Sequence, residues 1–286
     1  MTPPEKLEYL DDDELLTPEV GPWAEEKYKY VSYYNKLFST SMKDRWDCRT
    51  YIDLFAGAGR SRIRRTNKIL AGSPLLALGV PDQYDKYIIC EKDEELMEAL
   101  KSRIEKEYSH ADVKYVLGDC NEMVDEICAA IPKPSPRRTV LSFCFIDPYN
   151  IDIHFETVRR LSDFFIDFLM VLALGMDAQR NESHYCRPDV TRVDYFLGDI
   201  NWRDEWEQER RKKGVMFRTF LAKKYASQME TIGYTGTSLE KMKRITPSDR
   251  DLSLYYLAFF SRSDRGRKFW EQALRYVPDQ PALPFE

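Results

Sequence analysis

The sequence predicts an α/β fold: a mostly parallel sheet with helices on both faces and one helical insertion. Three observations carry this. Short apolar runs alternate with amphipathic segments from residue 50 to residue 175, the pattern that produces strand–helix–strand crossovers and hence a parallel sheet. One run, Val140-Leu141-Ser142-Phe143-Cys144-Phe145-Ile146, is almost wholly apolar, as a strand buried on both faces must be. Each of the first four runs delivers an acid at or near its carboxyl end: Asp53, Glu91, Asp119 and Asp147. That is the edge at which open α/β sheets bind ligands.

Residues 1–21 are polar, acidic and proline-bearing, which predicts a loosely attached arm. Trp23 to Met42 reads as an amphipathic helix with Trp23, Tyr30, Tyr34, Leu37 and Phe38 on its apolar face. The first strand spans about 50–55. Ser73 as N-cap and Pro74 at the first helical position then start a helix. A second strand, Tyr87 to Cys90, ends in Glu91, and a helix runs from Glu94 to Glu105. Val113 to Leu117 is a third strand, followed by Gly118-Asp119-Cys120 and a helix over Met123–Ala130. Pro132 to Pro136 is a loop, Val140 to Ile146 the central strand, Phe155 to Asp163 a helix and Phe168 to Leu174 the fifth strand. These elements form a domain over 22–175. Residues 176–250 break the alternation, are helical over about 203–231, and read as an insertion capping a substrate cleft. Residues 251–286 resume the sheet with a strand over Leu254–Phe260 and a helix over Lys268–Tyr276.

A chain of 286 residues has room for one such domain plus an insertion. No apolar run is long enough to span a bilayer. The first residues carry neither a basic n-region nor an apolar h-region, so a cytoplasmic, reduced setting is expected. The six cysteines show no Cys-x-x-Cys spacing. Cys90, Cys120 and Cys144 lie in or beside apolar runs and read as buried small hydrophobes rather than zinc ligands or disulfides. No metal site is expected. The three histidines have no acid or cysteine tied to them, which leaves a Ser-His-Asp or Cys-His enzyme without support.

The most informative stretch is Tyr51-Ile52-Asp53-Leu54-Phe55-Ala56-Gly57-Ala58-Gly59. A strand ends in an acid, and a loop with two glycines follows. Glycine lets the backbone turn tightly and approach a ligand that a Cβ would block. A dinucleotide loop runs Gly-x-Gly-x-x-Gly; here the run is Gly-Ala-Gly-Arg-Ser-Arg, which disfavours that class. Asp93 is better placed than Glu91 to cap the following helix, so Glu91 is the preferred ligand acid after strand two. Asp119 reads either as a ligand acid or as a helix cap. Asp147-Pro148-Tyr149 reads either as a site or as a strand end followed by a turn.

Glycine loop, acid after strand two, Gly-Asp-Cys after strand three and Asp-Pro-Tyr after strand four, in that order, resemble the class I S-adenosylmethionine-dependent methyltransferases, especially the adenine-N6 type. The resemblance implies a Rossmann-like fold. It implies that Asp53, Phe55, Ala56, Gly57 and Gly59 meet the methionine part of S-adenosylmethionine and that Glu91 takes the ribose hydroxyls. Asp119 and the backbone of Cys120 would take the adenine. It further implies that Asp147 and the Pro148 carbonyl accept hydrogen bonds from an exocyclic amine while Tyr149 stacks on the base. This chain has one proline where that pattern has two.

Arg60, Arg62, Arg64, Arg65 and Lys68 follow the glycine loop with no acid among them. They read as phosphate contacts beside the site or as a solvated loop. Trp202 and Trp206 read as core of the insertion or as a stacking platform. The stretches Tyr51–Gly59, Gly72–Leu78, Phe145–Tyr149, Asp194–Gly198, Tyr255–Phe260 and Gly266–Trp270 together resemble the three-Cys-motif partner proteins, TcmP, over roughly residues 23–276. That resemblance implies a methyltransferase-like protein encoded beside a radical-S-adenosylmethionine-like protein with clustered cysteines. Nucleic-acid modification or phage defence would fit such company. Two further readings stand beside the enzyme: a non-catalytic module that keeps the fold and binds a partner, and a metal-dependent hydrolase built on the strand-end acids.

Overall fold

The structure, a computed structural model, describes residues 7–178, 181–212, 214–245 and 255–277. A short strand, β1 (Glu19–Val20), precedes α1 (Trp23–Met42). β2 (Cys48–Asp53) leads through the glycine loop into a hairpin of β3 (Arg60–Ile63) and β4 (Ile69–Ala71). Then come α2 (Ser73–Leu78), β5 (Lys86–Glu91), α3 (Glu94–Glu107), β6 (Val113–Leu117), α4 (Val124–Ala130), β7 (Val140–Ile146), α5 (Phe155–Leu161) and β8 (Ile166–Leu172). The insertion holds α6 (Glu182–Tyr185), α7 (Arg192–Leu197), α8 (Trp202–Glu209) and α9 (Phe217–Thr231). β9 (Lys243–Ile245), β10 (Tyr255–Phe260) and α10 (Asp264–Tyr276) follow.

The main sheet has seven strands in the order β6-β5-β2-β7-β8-β10-β9. The first five are parallel, and β10 runs antiparallel to both its neighbours. This is the Rossmann-like class I methyltransferase fold predicted from the sequence. The chain winds outward from β2 to β6, then returns to β7 and winds the other way. The reversal between β2 and β7 puts a topological switch point at the carboxyl ends of those strands, where open α/β sheets bind ligands.

Side chains alternate between two cores, as the pleat demands. One face carries Ile52, Ile88, Cys144 and Phe168 against α4, α5 and the insertion. The other carries Tyr51, Tyr87, Phe143 and Leu169 against α1, α2, α3 and α10. Trp202 and Trp206 belong to the first core, and their indole N–H groups donate to Asp194 and Glu182. They are core, not a platform. Cys90, Cys120 and Cys144 are buried free thiols, as expected.

Several expectations need correction. The described part of the arm, 7–21, is docked: β1 pairs in parallel with β3, and Leu10 bridges to Ile69. Arg60 and Arg62 of the basic segment therefore lie on the middle strand of a second, three-stranded sheet, and Arg64, Arg65 and Lys68 in the turn of its hairpin. The helical span expected over 203–231 is two helices, broken where Gly214 takes a left-handed φ of 86°. The insertion ends before 250, because Lys243–Ile245 pairs with β10 as an edge strand. Leu254, expected to begin the last strand, lies outside the described residues. Gly72, not Ser73, is the cap of α2; the Ser73 hydroxyl is bonded to Asp53 instead.

Candidate active site

The sheet order sets the four acids side by side. β6, β5, β2 and β7 are consecutive and parallel, so Asp119, Glu91, Asp53 and Asp147 line one edge. Asp53 and Asp147 stand at the strand ends where the winding reverses.

Asp53 is fully buried. The Tyr51 hydroxyl donates to Oδ2 at 2.8 Å and the Phe55 N–H to Oδ1 at 3.3 Å. Burial raises its pKa to about 7, against the lowering effect of bonds from Ser73, Tyr51 and Phe55; the Asp147 charge adds to the rise. A carboxylate has about four acceptor sites, so capacity remains for one more donor. A cationic amine beside it would remove the penalty that holds the proton on.

Glu91 faces the glycine loop. Its Oε2 accepts the Gly57 N–H at 2.8 Å, and Oε1 accepts the N–H groups of Lys92 and Asp93 at 2.9 and 3.0 Å. Oε1 is thus filled and Oε2 keeps one acceptor site. A bidentate grip on a ribose diol, the chemistry expected of this acid, is reduced here to a single hydroxyl contact. Asp93 caps α3 through the Leu96 N–H, as predicted.

Gly57 has φ 61°, and a Cβ placed there would meet nothing within 4 Å. Gly59 has φ 80°, and a Cβ there would stand 2.6 Å from Leu100. The two glycines do different work: Gly57 borders open space beside Glu91, whereas Gly59 packs the loop on α3. Phe55 and Ala56 lead into this turn, and Ala56 is buried.

Asp119 accepts the Asn121 N–H at Oδ1, 2.8 Å away, and its carbonyl receives Glu122 and Met123. It therefore shapes the turn into α4 while Oδ2 stays available. Cys120 is buried and desolvation raises its thiol pKa, which suits a backbone contact and not a nucleophile. Asn121, overlooked in the sequence, ties two strand-end loops together. Its Nδ2 donates to the Asp152 carbonyl, and Oδ1 accepts from the His154 N–H and the Thr157 hydroxyl, all at 2.8–2.9 Å.

Asp147 is ion-paired through Oδ2 to Lys27 of α1, a partner the sequence did not reveal. The Lys27 ammonium lies 4.7 Å from the Tyr28 ring centroid. Burial works to lower its pKa, but the charge of Asp147, with Tyr28 and Tyr255, more than reverses this and the net shift is upward. Asp147 Oδ1 remains as an acceptor. Pro148 is buried, and Tyr149 is 92% exposed at the rim.

The basic residues are not brought to this site as a free stripe. Arg60 meets Asp13 at 3.3 Å and Glu107 at 2.7 Å; Arg62 meets Asp12 and Arg64 meets Glu19. Lys68 lies 4.0 Å over the Tyr9 ring. Arg65 sits in the hairpin turn with φ 73°. The acidic arm supplies most of these partners. It is fastened by Arg103 of α3, which is 1% exposed and donates to both oxygens of Asp13, to the carbonyls of Leu15 and Leu16, and to Ala58 O in the glycine loop.

No protein-family profile matches the chain, and no curated protein matches it. Among solved structures, a Legionella pneumophila protein is 10% identical with a TM-score of 0.48, over 87% of this chain and 91% of that one. Trm1 from Pyrococcus horikoshii, in complex with S-adenosyl-L-methionine, is 9% identical with a TM-score of 0.48, over 92% of this chain and 62% of that one. The N-terminal domain of human METTL16, in complex with SAH, is 13% identical with a TM-score of 0.42, over 90% and 76%. Similarity at these identities concerns the fold and says nothing of substrate.

Proposed function

We propose that this protein is an S-adenosylmethionine-dependent methyltransferase acting on nucleic acid at an exocyclic amine of the adenine-N6 kind. The reading is carried by one observation: four acids on adjacent parallel strand ends surround a glycine turn whose Gly57 opens on space that a Cβ would fill. The donor set fits the cofactor's groups. Asp53 suits the amino-acid ammonium, Glu91 one ribose hydroxyl, and Asp119 Oδ2 with the Cys120 backbone the adenine. When bound, S-adenosylmethionine supplies an electrophilic methyl group on a sulfonium.

The chain's own residues supply alignment. Asp147 Oδ1 and the Pro148 carbonyl accept the two hydrogens of the amine, which aims the nitrogen lone pair. Lys27 fixes Asp147 so that one oxygen alone is offered. Tyr149 covers the base. Positioning of this kind carries catalysis without a strong base. A base within a duplex would first have to be flipped out. We also place the chain with the three-Cys-motif partner proteins, working beside a radical-S-adenosylmethionine-like protein.

The test is transfer of tritiated methyl groups to DNA and RNA pools, with calorimetric titration of the donor. Asp147→Ala is expected to abolish transfer and leave donor affinity within about twofold. Loss of donor binding in that variant would remove Asp147 from the amine-positioning role. No donor binding by the unaltered chain would leave the non-catalytic module as the reading.

A further inference from the structure

An aromatic pair outside the core joins α7 of the insertion to the loop before α5. Tyr195 of α7 stacks on His154 with ring centroids 4.7 Å apart and planes 20° from parallel, and Tyr195 is 55% exposed. His154 lies five residues beyond Tyr149. Tyr149 and His154 belong to one loop, between β7 and α5, at the carboxyl edge of the sheet. The loop is braced: Asn121 holds the His154 N–H and the Asp152 carbonyl, and Arg192 of α7 is paired to Asp152. Exposed aromatic rings on a braced support are preorganised for stacking.

Several described cations of the insertion sit in ion pairs. Arg187 is paired to Asp189, Arg203 to Asp194, and Lys224 to Asp199 and Glu205. Arg60 and Arg62 of the basic hairpin are likewise paired to the arm, whereas Arg64, Arg65 and Lys68 stand exposed. A duplex is gripped through phosphates by many cations, and Arg187, Arg203 and Lys224 are already neutralised by carboxylates. Unpaired bases are gripped through their faces, and this surface offers rings.

We infer that the rim formed by Tyr149, His154 and Tyr195 is a stacking platform for unpaired bases, so that the substrate is single-stranded nucleic acid held with little phosphate contact. The inference rests on the proposed nucleic-acid substrate and adds its strandedness and the residues that read it.

The test is fluorescence anisotropy of labelled oligo(A), oligo(dA) and a mixed-sequence RNA duplex, run with and without methyl donor. Single strands are expected to bind more tightly than the duplex. Tyr195→Ala should weaken single-strand binding about tenfold, Tyr195→Phe should retain it, and both should keep the parent's thermal unfolding and donor affinity. Affinity should fall only slightly between 50 and 200 mM salt, conditions under which a site with six or more phosphate contacts loses about a thousandfold. Preference for duplex, a steep salt response, or Tyr195→Ala binding like the parent would each overturn the platform. Because the readout is binding, a chain that stacks single strands but transfers no methyl group would sink the proposed reaction and spare this inference. A chain that methylates duplex with Tyr195→Ala unimpaired would do the reverse.

Discussion

The Lys27 ammonium and the Asp147 carboxylate form an ion pair that joins α1 to the end of the central strand, with their side chains only 11% and 16% exposed. Removing one partner strands the other. Lys27→Met is expected to destabilise the fold by about 3 kcal/mol, the lower end for breaking a buried pair, and to abolish methyl transfer. Urea unfolding and the transfer assay measure the two effects. A variant that transfers at the parent rate would show that Lys27 does not orient Asp147.

Asp53 provides a proton signal. Its pKa of about 7 reflects burial, and a donor amine bound beside it would lower that value. Donor binding near pH 6.5 is therefore expected to release a fraction of a proton, and Asp53→Asn to abolish the release. Calorimetry in two buffers of different ionisation enthalpy reads this directly. Equal apparent enthalpies in the two buffers would mean the amine sits elsewhere.

Asp167 carries a structural counterpart. It lies under α10, bonded to Ser261 and Tyr34, and burial raises its pKa to about 7. A carboxyl whose folded pKa is raised favours folding fully below the ordinary value near 4 and loses that contribution as pH rises through about 7. Asp167→Asn should flatten the decline in stability across this window, a difference on the order of a few kcal/mol between its ends. Unfolding in urea at stepped pH checks the sign.

The two glycines separate ligand from fold. Gly57→Ala is expected to cost about 1 kcal/mol through its positive φ and to weaken donor binding at least tenfold. Gly59→Ala meets Leu100 and should cost more in stability. Equal losses of donor affinity per unit of stability in the two variants would remove Gly57 from the cofactor cradle.

Asp13 is clamped by Arg103, whose hydrogen bonds and charge lower its pKa to about 2 against the opposing effect of burial. A depressed carboxyl contributes above its unfolded pKa and loses that contribution as pH falls through 4 toward 2. Asp13→Asn should blunt acid unfolding in that range while lowering stability at pH 7 by about 3 kcal/mol.

Periodicity and strand-end chemistry made most of the sheet legible. The run Val140–Ile146 had to be central, and the acids at 53, 91, 119 and 147 had to share an edge once the strands were parallel. The spacing of Glu91 and Asp93 marked Asp93 as the helix cap, and the cap is where it was expected. What stayed hidden depends on contacts distant in sequence. Lys27 lies among Glu25, Glu26 and Lys29 and reads as surface until α1 is docked. Ser73 has the chemistry of a cap and of a carboxylate donor, and only Asp53 beneath it decides. The arm reads as loose because Asp12 and Asp13 find their arginines 50 and 90 residues away. β9, at three residues, is too short to show alternation.

Asp13 is synthesised ninety positions before Arg103. On a growing polypeptide Asp12 and Asp13 can meet Arg62 and Arg60 first, and Asp13 gains its second guanidinium only when α3 emerges. Closing so long a loop is slow relative to forming local turns. The glycine turn, held at Ala58 by the same guanidinium, is accordingly finished late and from both directions at once. A nascent fragment that stops short of α3 lacks the guanidinium that fastens the glycine turn at Ala58.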